Sequence, residues 1–107
     1  GSDGSSSTTL PPADLVIDAG PGLVWGQTAY TTTAGSAVAV AVVNRDTILH
    51  TMVIVDDTKK VLGPELEVGK RGDVDTGTFN LAPGEYQILC RVPGHGGMTA
   101  TLTVTGE

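Results

Sequence analysis

The sequence predicts an all-β fold in which two sheets pack as a sandwich. Gly, Thr and Val abound while strong helix formers are scarce, a composition typical of strands and turns. From Asp14 onward the apolar residues recur with a period of two, as they do along half-buried strands. About eight short segments of this kind follow one another, and such spacing favours a sandwich.

Each predicted strand is bounded by residues that favour turns, and no segment gives a convincing helix, although 57–64 could form a turn. The turn signals are Gly20-Pro21-Gly22, Ala34-Gly35, Asn44-Arg45-Asp46, Asp56-Asp57, Gly63-Pro64, Arg71-Gly72 and Pro83-Gly84. The predicted strands are 14–18, 23–31, 37–44, 48–56, 65–69, 74–81, 85–91 and 99–105.

The chain is expected to form one domain, residues 14–107, preceded by a flexible tail, residues 1–13. A length of 107 residues suffices for one hydrophobic core. The tail consists largely of Gly, Ser, Thr and Pro without a periodic apolar pattern, so it cannot bury enough surface to offset the cost of ordering. Such a tail could tether the domain to a membrane, although Gly1-Ser2 also resembles a cloning remnant.

Composition and charge exclude several classes of function. A net charge of -6 at pH 7 disfavours nucleic-acid binding but is compatible with steering towards a basic partner. The single cysteine excludes an internal disulfide and leaves a thiol that a secreted domain must bury or bind. The acidic residues indicate nothing catalytic, since the sequence has no Ser-His-Asp order, phosphate-binding glycine loop or CxxC motif.

The segment Cys90-Arg-Val-Pro-Gly-His95-Gly-Gly-Met98 predicts a metal site. It carries a thiol, an imidazole and a thioether in the predicted loop before the last strand, and His50 supplies a second imidazole. Two His, one Cys and a weak axial Met are typical of blue-copper sites. A single Cys or His in an apolar setting is more often an ordinary core residue, so the prediction depends on the combination. The candidate copper ligands are His50, Cys90, His95 and Met98.

Local patterning explains how these residues could meet. The alternation Tyr86, Ile88, Cys90 directs the sulfur inward at the rim of the sandwich. The loop must then turn back sharply, and Pro93 and Gly94 with the glycines that follow His95 favour such a turn.

Residues 35–56 and 77–105 resemble the cupredoxins, in the bacterial plastocyanin- and azurin-like branch. The resemblance rests on Asn44 six residues before His50, on Pro-Gly-Glu-Tyr before the strand that ends in Cys90, on Cys-Arg-Val-Pro-Gly-His, and on the closing strand Thr-Ala-Thr-Leu-Thr-Val. It implies a Greek-key β-sandwich with one copper ion at one end and a role in single-electron transfer.

The resemblance also implies a role for the residue that follows the first ligand. Many relatives have Asn there, and its backbone N–H reaches the cysteine sulfur while the residue ties the two ligand loops together. This chain has Thr51 instead, which keeps the N–H and adds a smaller hydroxyl. Because Pro is at 93 rather than 92, the N–H of Val92 is a second expected donor to the sulfur.

The predicted function is electron transfer by a mononuclear type 1 copper centre, without enzymatic activity, because four protein ligands leave no position for a small-molecule substrate. The expected partners are redox proteins that dock on a monomer near His95, through a collar of Val92, Pro93, Gly94, Gly96 and Gly97, while His50 should be buried. The expected location is extracytoplasmic, in the periplasm or on the outer face of the cytoplasmic membrane, after removal of a signal or anchor segment.

Three alternative functions compete with this one. The main one is an extracytoplasmic copper storage or delivery protein, which would use the same ligands but exchange the ion readily. A metal-free adhesion module would leave the Cys/His/Met cluster unexplained. A dinuclear copper centre would need a second Cys, which this chain lacks.

Overall fold

Eight strands in two sheets make up the fold in the computed structural model, which describes residues 13–95 and 97–106. The strands are β1 (Leu15–Ala19), β2 (Ala29–Thr33), β3 (Gly35–Asn44), β4 (His50–Val55), β5 (Val61–Val68), β6 (Val74–Leu81), β7 (Gly84–Leu89) and β8 (Thr99–Thr105). The order is β1-β3-β6 in one sheet and β2-β8-β7-β4-β5 in the other. The predicted all-β sandwich is therefore confirmed.

The predicted tail, residues 1–13, lies outside the described residues except for Ala13. Within the described part of the chain, no helix has the length and apolar character needed to cross a membrane.

The core lies between the two sheets, where alternate side chains point inward. In β3, Val38, Val40 and Val42 are buried and pack in one cluster with Ile17 and Leu102. β4 is buried along its whole length and lies between β5 and β7 in the larger sheet.

Strand pairing brings the predicted ligands to one end of the larger sheet. β4 runs antiparallel to β7 with Val53 opposite Leu89, and β7 runs antiparallel to β8 with Leu89 opposite Thr99. The start of β4, the end of β7 and the start of β8 therefore lie side by side. His50 begins β4, whereas the connection between β7 and β8 spans 90–98.

The smaller sheet brings two further loops to the same region. β1 and β3 run parallel, and Ala19 at the end of β1 lies opposite Asn44 at the end of β3. The loop that follows β1 consequently lies beside the loop that leads from β3 to His50.

The prediction of a strand at 23–31 is wrong in its first half, because β2 begins at Ala29. Leu23 and Val24 are 44% and 56% exposed and belong to a loop. Trp25 forms an isolated bridge with Ala19, and this loop folds back over the end of β1 instead of extending into the sheet.

The prediction of a turn within 57–64 followed by a strand at 65–69 also needs correction. The turn is at 57–58 and β5 already begins at Val61, so Gly63 and Pro64 lie inside a strand. β5 is an edge strand, where a proline without an N–H is tolerated. Gly63 has a φ of 68°, and a Cβ there would overlap the Phe79 ring. The pairing of β4 with β5 shifts register here, so this pair forms an irregularity in the strand and not a turn.

Candidate metal centre

Three of the four predicted ligands converge in a buried cluster. One potential ligand atom each from His50, Cys90 and His95 lies within 4.8 Å of the other two. The Cys90 sulfur is 3.4 Å from Nδ1 of His95, and the centroids of the two imidazole rings are 5.1 Å apart. The exposed fractions are 0% for His50, 7% for Cys90 and 9% for His95.

Cys90 reaches this cluster because it directly follows β7. Ile88 and Cys90 both belong to the hydrophobic core and Tyr86 packs against it, so the predicted alternation is present in the structure. The sulfur consequently points into the rim of the sandwich, where β4 begins with His50.

Two turns in the loop between β7 and β8 place His95 and Met98. The N–H of His95 donates to the carbonyl oxygen of Val92 at 3.0 Å, and the N–H of Met98 donates to that of His95 at 3.0 Å. Gly94 has a φ of 89°, a left-handed conformation that favours glycine. Met98 is 1% exposed and belongs, like Cys90, to the hydrophobic core between the sheets. The predicted collar residue Gly96 lies outside the described residues.

Thr51 links β4, which begins with His50, to the segment after β7 that carries Cys90 and Arg91. Its hydroxyl oxygen accepts the N–H of Arg91 at 2.9 Å and lies 3.8 Å from the Cys90 sulfur. Because that oxygen accepts from Arg91, its own hydrogen is free to point at the sulfur. Among the described residues, the sulfur has polar contacts with this hydroxyl and with Nδ1 of His95. The two expected donors, the backbone N–H groups of Thr51 and Val92, do not contact it in this part of the chain. The hydrogen bond from Arg91 thus holds the Thr51 hydroxyl near the sulfur, where the backbone N–H of Thr51 was expected.

The two ring nitrogens of His50 have different surroundings. Nε2 lies 3.2 Å from Oδ2 of Asp46, whereas Nδ1 is buried and has no hydrogen-bond partner. A buried polar atom in a folded protein is normally paired, so an unpaired one has room for a partner such as a water or an ion. The His50 ring can therefore offer Nδ1 to a metal in the cluster.

The donor set and its spacing fit a copper ion. Nitrogen and sulfur ligands bind ions of this size at about 2.0–2.3 Å, so two donor atoms 3.4 Å apart can reach the same ion. A thiolate combined with imidazoles suits copper, although zinc uses such ligands as well.

Sequence reasoning missed Asp46. Its Oδ2 contacts His50 and accepts the N–H of Gly22 at 2.8 Å, while its Oδ1 accepts the N–H of Thr47 at 2.8 Å. The hydrogen bond with His50, followed by those from Thr47 and Gly22, lowers the pKa of Asp46 below its ordinary value of 3.8. The available signal was an aspartate four residues before the first predicted ligand, in a segment interpreted only as a turn.

Comparisons with known proteins give a structural but not a sequence relationship. Neither protein-family models nor curated protein sequences match the chain. Auracyanin A, a "blue" copper protein from the green thermophilic photosynthetic bacterium Chloroflexus aurantiacus, is 22% identical and superimposes with a TM-score of 0.71, covering 84% of this chain and 96% of its own. Dithionite-reduced auracyanin from the photosynthetic bacterium Roseiflexus castenholzii is 25% identical with a TM-score of 0.70, covering 94% and 99%. The reduced Cu(I) form of an amicyanin variant is 20% identical with a TM-score of 0.63, covering 89% and 85%.

The chain has the cupredoxin fold. The resemblance inferred from Asn44, His50 and the segment Cys90–Met98 is thus confirmed at the level of the fold. The cluster of His50, Cys90 and His95 lies where the loops at one end of the sandwich meet.

Proposed function

We propose that this cupredoxin is a single-electron carrier that binds one copper ion through His50, Cys90 and His95, with Met98 as a weak axial ligand. The observation that carries the proposal is the convergence of one thiol and two imidazoles in a buried cluster, in which Nδ1 of His50 has no protein partner. When bound, copper supplies a one-electron couple between Cu(I) and Cu(II).

The surrounding structure keeps the donor atoms in place. His50 is the first residue of a fully buried strand, and Thr51 connects that strand to the segment after β7 through Arg91. Met98 packs in the core, so its side chain has little freedom to move. Rigid placement of the donors favours fast electron transfer, because little has to rearrange when the charge changes.

Several features support a carrier without enzymatic activity. The donors are buried, so a substrate has no open approach to them. Surface cavities elsewhere in the described residues, one lined by Asp56 and Glu85 and another by Asp14 and Ala37, do not include the cluster.

The electron is proposed to leave through His95, because this residue is 9% exposed while His50 is fully buried. Pro93, Gly94 and Gly97 are exposed beside it. A small, weakly polar surface of this kind suits a brief encounter with a redox protein, and the net charge of -6 would steer a basic partner. We further propose that the protein acts as a monomer in an extracytoplasmic compartment.

A retention experiment tests the carrier against the alternative of copper storage or delivery. The copper-loaded protein is taken through repeated chemical reduction and oxidation in the presence of a strong Cu(I) chelator, and the copper that stays on the protein is measured. A carrier retains most of its copper over many cycles. Rapid transfer of the ion to the chelator at the first reduction would contradict the proposal and favour delivery.

A further inference from the structure

The ring of His50 is held from its far side by a carboxylate that is not one of the proposed ligands. Oδ2 of Asp46 lies 3.2 Å from Nε2 of His50, and the Asp46 side chain is 14% exposed while that of His50 is fully buried. The contact therefore lies between solvent and the cluster of His50, Cys90 and His95.

The hydrogen in this contact belongs to the histidine. Both oxygens of Asp46 accept backbone N–H groups, Oδ2 from Gly22 and Oδ1 from Thr47, each at 2.8 Å, which is the pattern of an ionised carboxylate that has no hydrogen to donate. Nε2 of His50 must then be the donor, and in a neutral imidazole the other nitrogen carries the lone pair. That nitrogen, Nδ1, is the buried atom without a hydrogen-bond partner.

We propose that Asp46 is a positioning residue that holds His50 in the Nε2–H tautomer, keeps Nδ1 free for the metal, and lowers the reduction potential of the bound copper. The effect on the potential rests on the proposed function. The effect on the tautomer concerns the protein without metal and stands by itself.

Hydrogen bonds within the loop between β3 and β4 fix the position of the Asp46 carboxylate. The N–H of Asp46 donates to Oδ1 of Asn44 at 2.7 Å. The side-chain amide of Asn44, which is fully buried, donates to the carbonyl oxygens of Ile48 at 2.9 Å and Val68 at 3.0 Å. Asn44 thus closes the loop around Asp46 and anchors it to β5.

The loop after β1 supplies the other side of this arrangement. The parallel pairing of β1 with β3 brings residues 20–22 beside Asp46. Gly20 has a φ of 79°, and a Cβ at this position would lie 2.8 Å from the Cβ of Asp46. A glycine at position 20 therefore allows the approach through which Gly22 bonds the carboxylate.

The direction of the effect on copper follows from electrostatics. A carboxylate that accepts a hydrogen bond from a ligand imidazole increases the basicity of that ligand. The negative charge also stabilises Cu(II) more than Cu(I), because Cu(II) carries the larger charge. Removing the carboxylate should therefore weaken Cu(II) binding more than Cu(I) binding and raise the potential.

The test compares the unmodified protein with Asp46→Ala, and uses Asp56→Ala as a matched control. Asp56 also accepts loop N–H groups through its carboxylate, but its bonds go to Thr58 and Lys60 at the far end of β4. Loss of such a partner typically weakens metal binding about 10–100-fold. If Cu(II) binding weakens tenfold more than Cu(I) binding, a redox titration should show a potential higher by about 59 mV in Asp46→Ala and little change in Asp56→Ala.

The tautomer is measured in metal-free protein with isotopically labelled histidine, by nitrogen NMR at a pH about two units above the ordinary imidazole pKa of roughly 6.5. The proposal predicts the hydrogen on Nε2 of His50 in the unmodified protein and a mixture of tautomers in Asp46→Ala. A hydrogen on Nδ1 in the unmodified protein would overturn it, even if Asp46→Ala failed to fold. An unchanged potential in Asp46→Ala, or an equal rise in Asp56→Ala, would also overturn it. Failure of the unmodified protein to bind copper would instead refute the proposed function and leave the tautomer result standing.

Discussion

The hydroxyl oxygen of Thr51 lies 3.8 Å from the sulfur of Cys90. The same oxygen accepts the N–H of Arg91 at 2.9 Å, so one side chain contacts the proposed thiolate ligand and also satisfies the backbone next to it. Thr51 is 8% exposed, and in this dry setting the hydrogen bond is stronger than it would be in water. A change at Thr51 should therefore affect both the free energy of unfolding and the reduction potential of the proposed copper site.

Thr51→Val should therefore lower both stability and potential. Val keeps the shape but removes the hydroxyl, so the N–H of Arg91 loses its partner and the free energy of unfolding should fall by about 1–3 kcal/mol. Loss of about 1 kcal/mol of thiolate stabilisation would lower the potential of bound copper by roughly 40 mV. Denaturant unfolding and redox titration measure the two effects. Thr51→Ser keeps a hydroxyl and serves as the control; a potential unchanged in Thr51→Val would show that the hydroxyl does not act on the sulfur.

The fold could be predicted from the sequence wherever side-chain alternation and burial agree. Alternation predicted a strand at 37–44, and β3 covers it, with Val38, Val40 and Val42 buried. The prediction failed at 23–28 because Leu23 and Val24 are apolar but exposed, and period alone does not reveal that. It failed again at Gly63-Pro64, where the position of β5 at the sheet edge decides whether proline is tolerated.

The candidate ligands could be predicted from the sequence, but the residue that contacts His50 from its far side could not. The composition of the segment Cys90–Met98 and the position of His50 identified the residues that could bind copper, and the structure brings His50, Cys90 and His95 together. The position of Asp46 four residues before His50 was the one available signal, but it did not establish the contact, because the loop geometry depends on Asn44 and on Gly22, which lies 24 residues away. Such a contact follows from the parallel pairing of β1 with β3, which sequence patterning did not predict.

Met98→Leu should adjust the site without destroying it. The thioether is expected to be a long, weak ligand, so the imidazoles and the thiolate should keep the copper while the loss of an axial donor raises the potential. Met98 is 1% exposed, and Leu has a similar volume, so the loss of stability should stay below about 1.5 kcal/mol. Copper stoichiometry, redox titration and unfolding measure these effects. Loss of copper binding, or a potential and spectrum identical to those of the unmodified protein, would contradict the axial role.

Gly97→Glu should slow electron self-exchange while leaving the copper spectrum nearly unchanged. Gly97 is exposed near His95, and a Cβ at this position meets no atom within 4 Å, so the new side chain fits without strain. Two carboxylates facing each other in the encounter should cost more than about 1.4 kcal/mol, which slows exchange about tenfold.

The control for this variant is Ala82→Glu. Ala82 is exposed between β6 and β7, at the opposite end of β7 from Cys90. Both variants change the net charge equally, and line broadening in NMR spectra of partly reduced protein measures the exchange rate. Equal slowing by both variants, or none by Gly97→Glu, would mean that the electron does not leave through His95.

Asp56 should contribute to the loss of stability in acid. Its pKa is lowered below the ordinary value of 3.8, chiefly by the hydrogen bond from the Thr58 hydroxyl and by the N–H of Lys60. A lowered folded-state pKa stabilises the protein above the unfolded value, and this contribution disappears as the pH falls through the folded value. Since Oδ1 accepts all three local bonds, Asp56→Asn can keep them without titrating. The free energy of unfolding between about pH 5 and pH 2 should fall less steeply in Asp56→Asn; parallel curves would contradict the assignment.

A visible absorption spectrum recorded after adding one equivalent of Cu(II) to the metal-free protein tests the central claim most directly. Type 1 coordination through Cys90 predicts an intense blue or green colour, because charge transfers from the thiolate to copper. Cys90→Ser should lose that colour even if the remaining imidazoles of His50 and His95 still bind the ion. A colourless complex of the unmodified protein, or a colour that persists in Cys90→Ser, would contradict the proposed type 1 copper site.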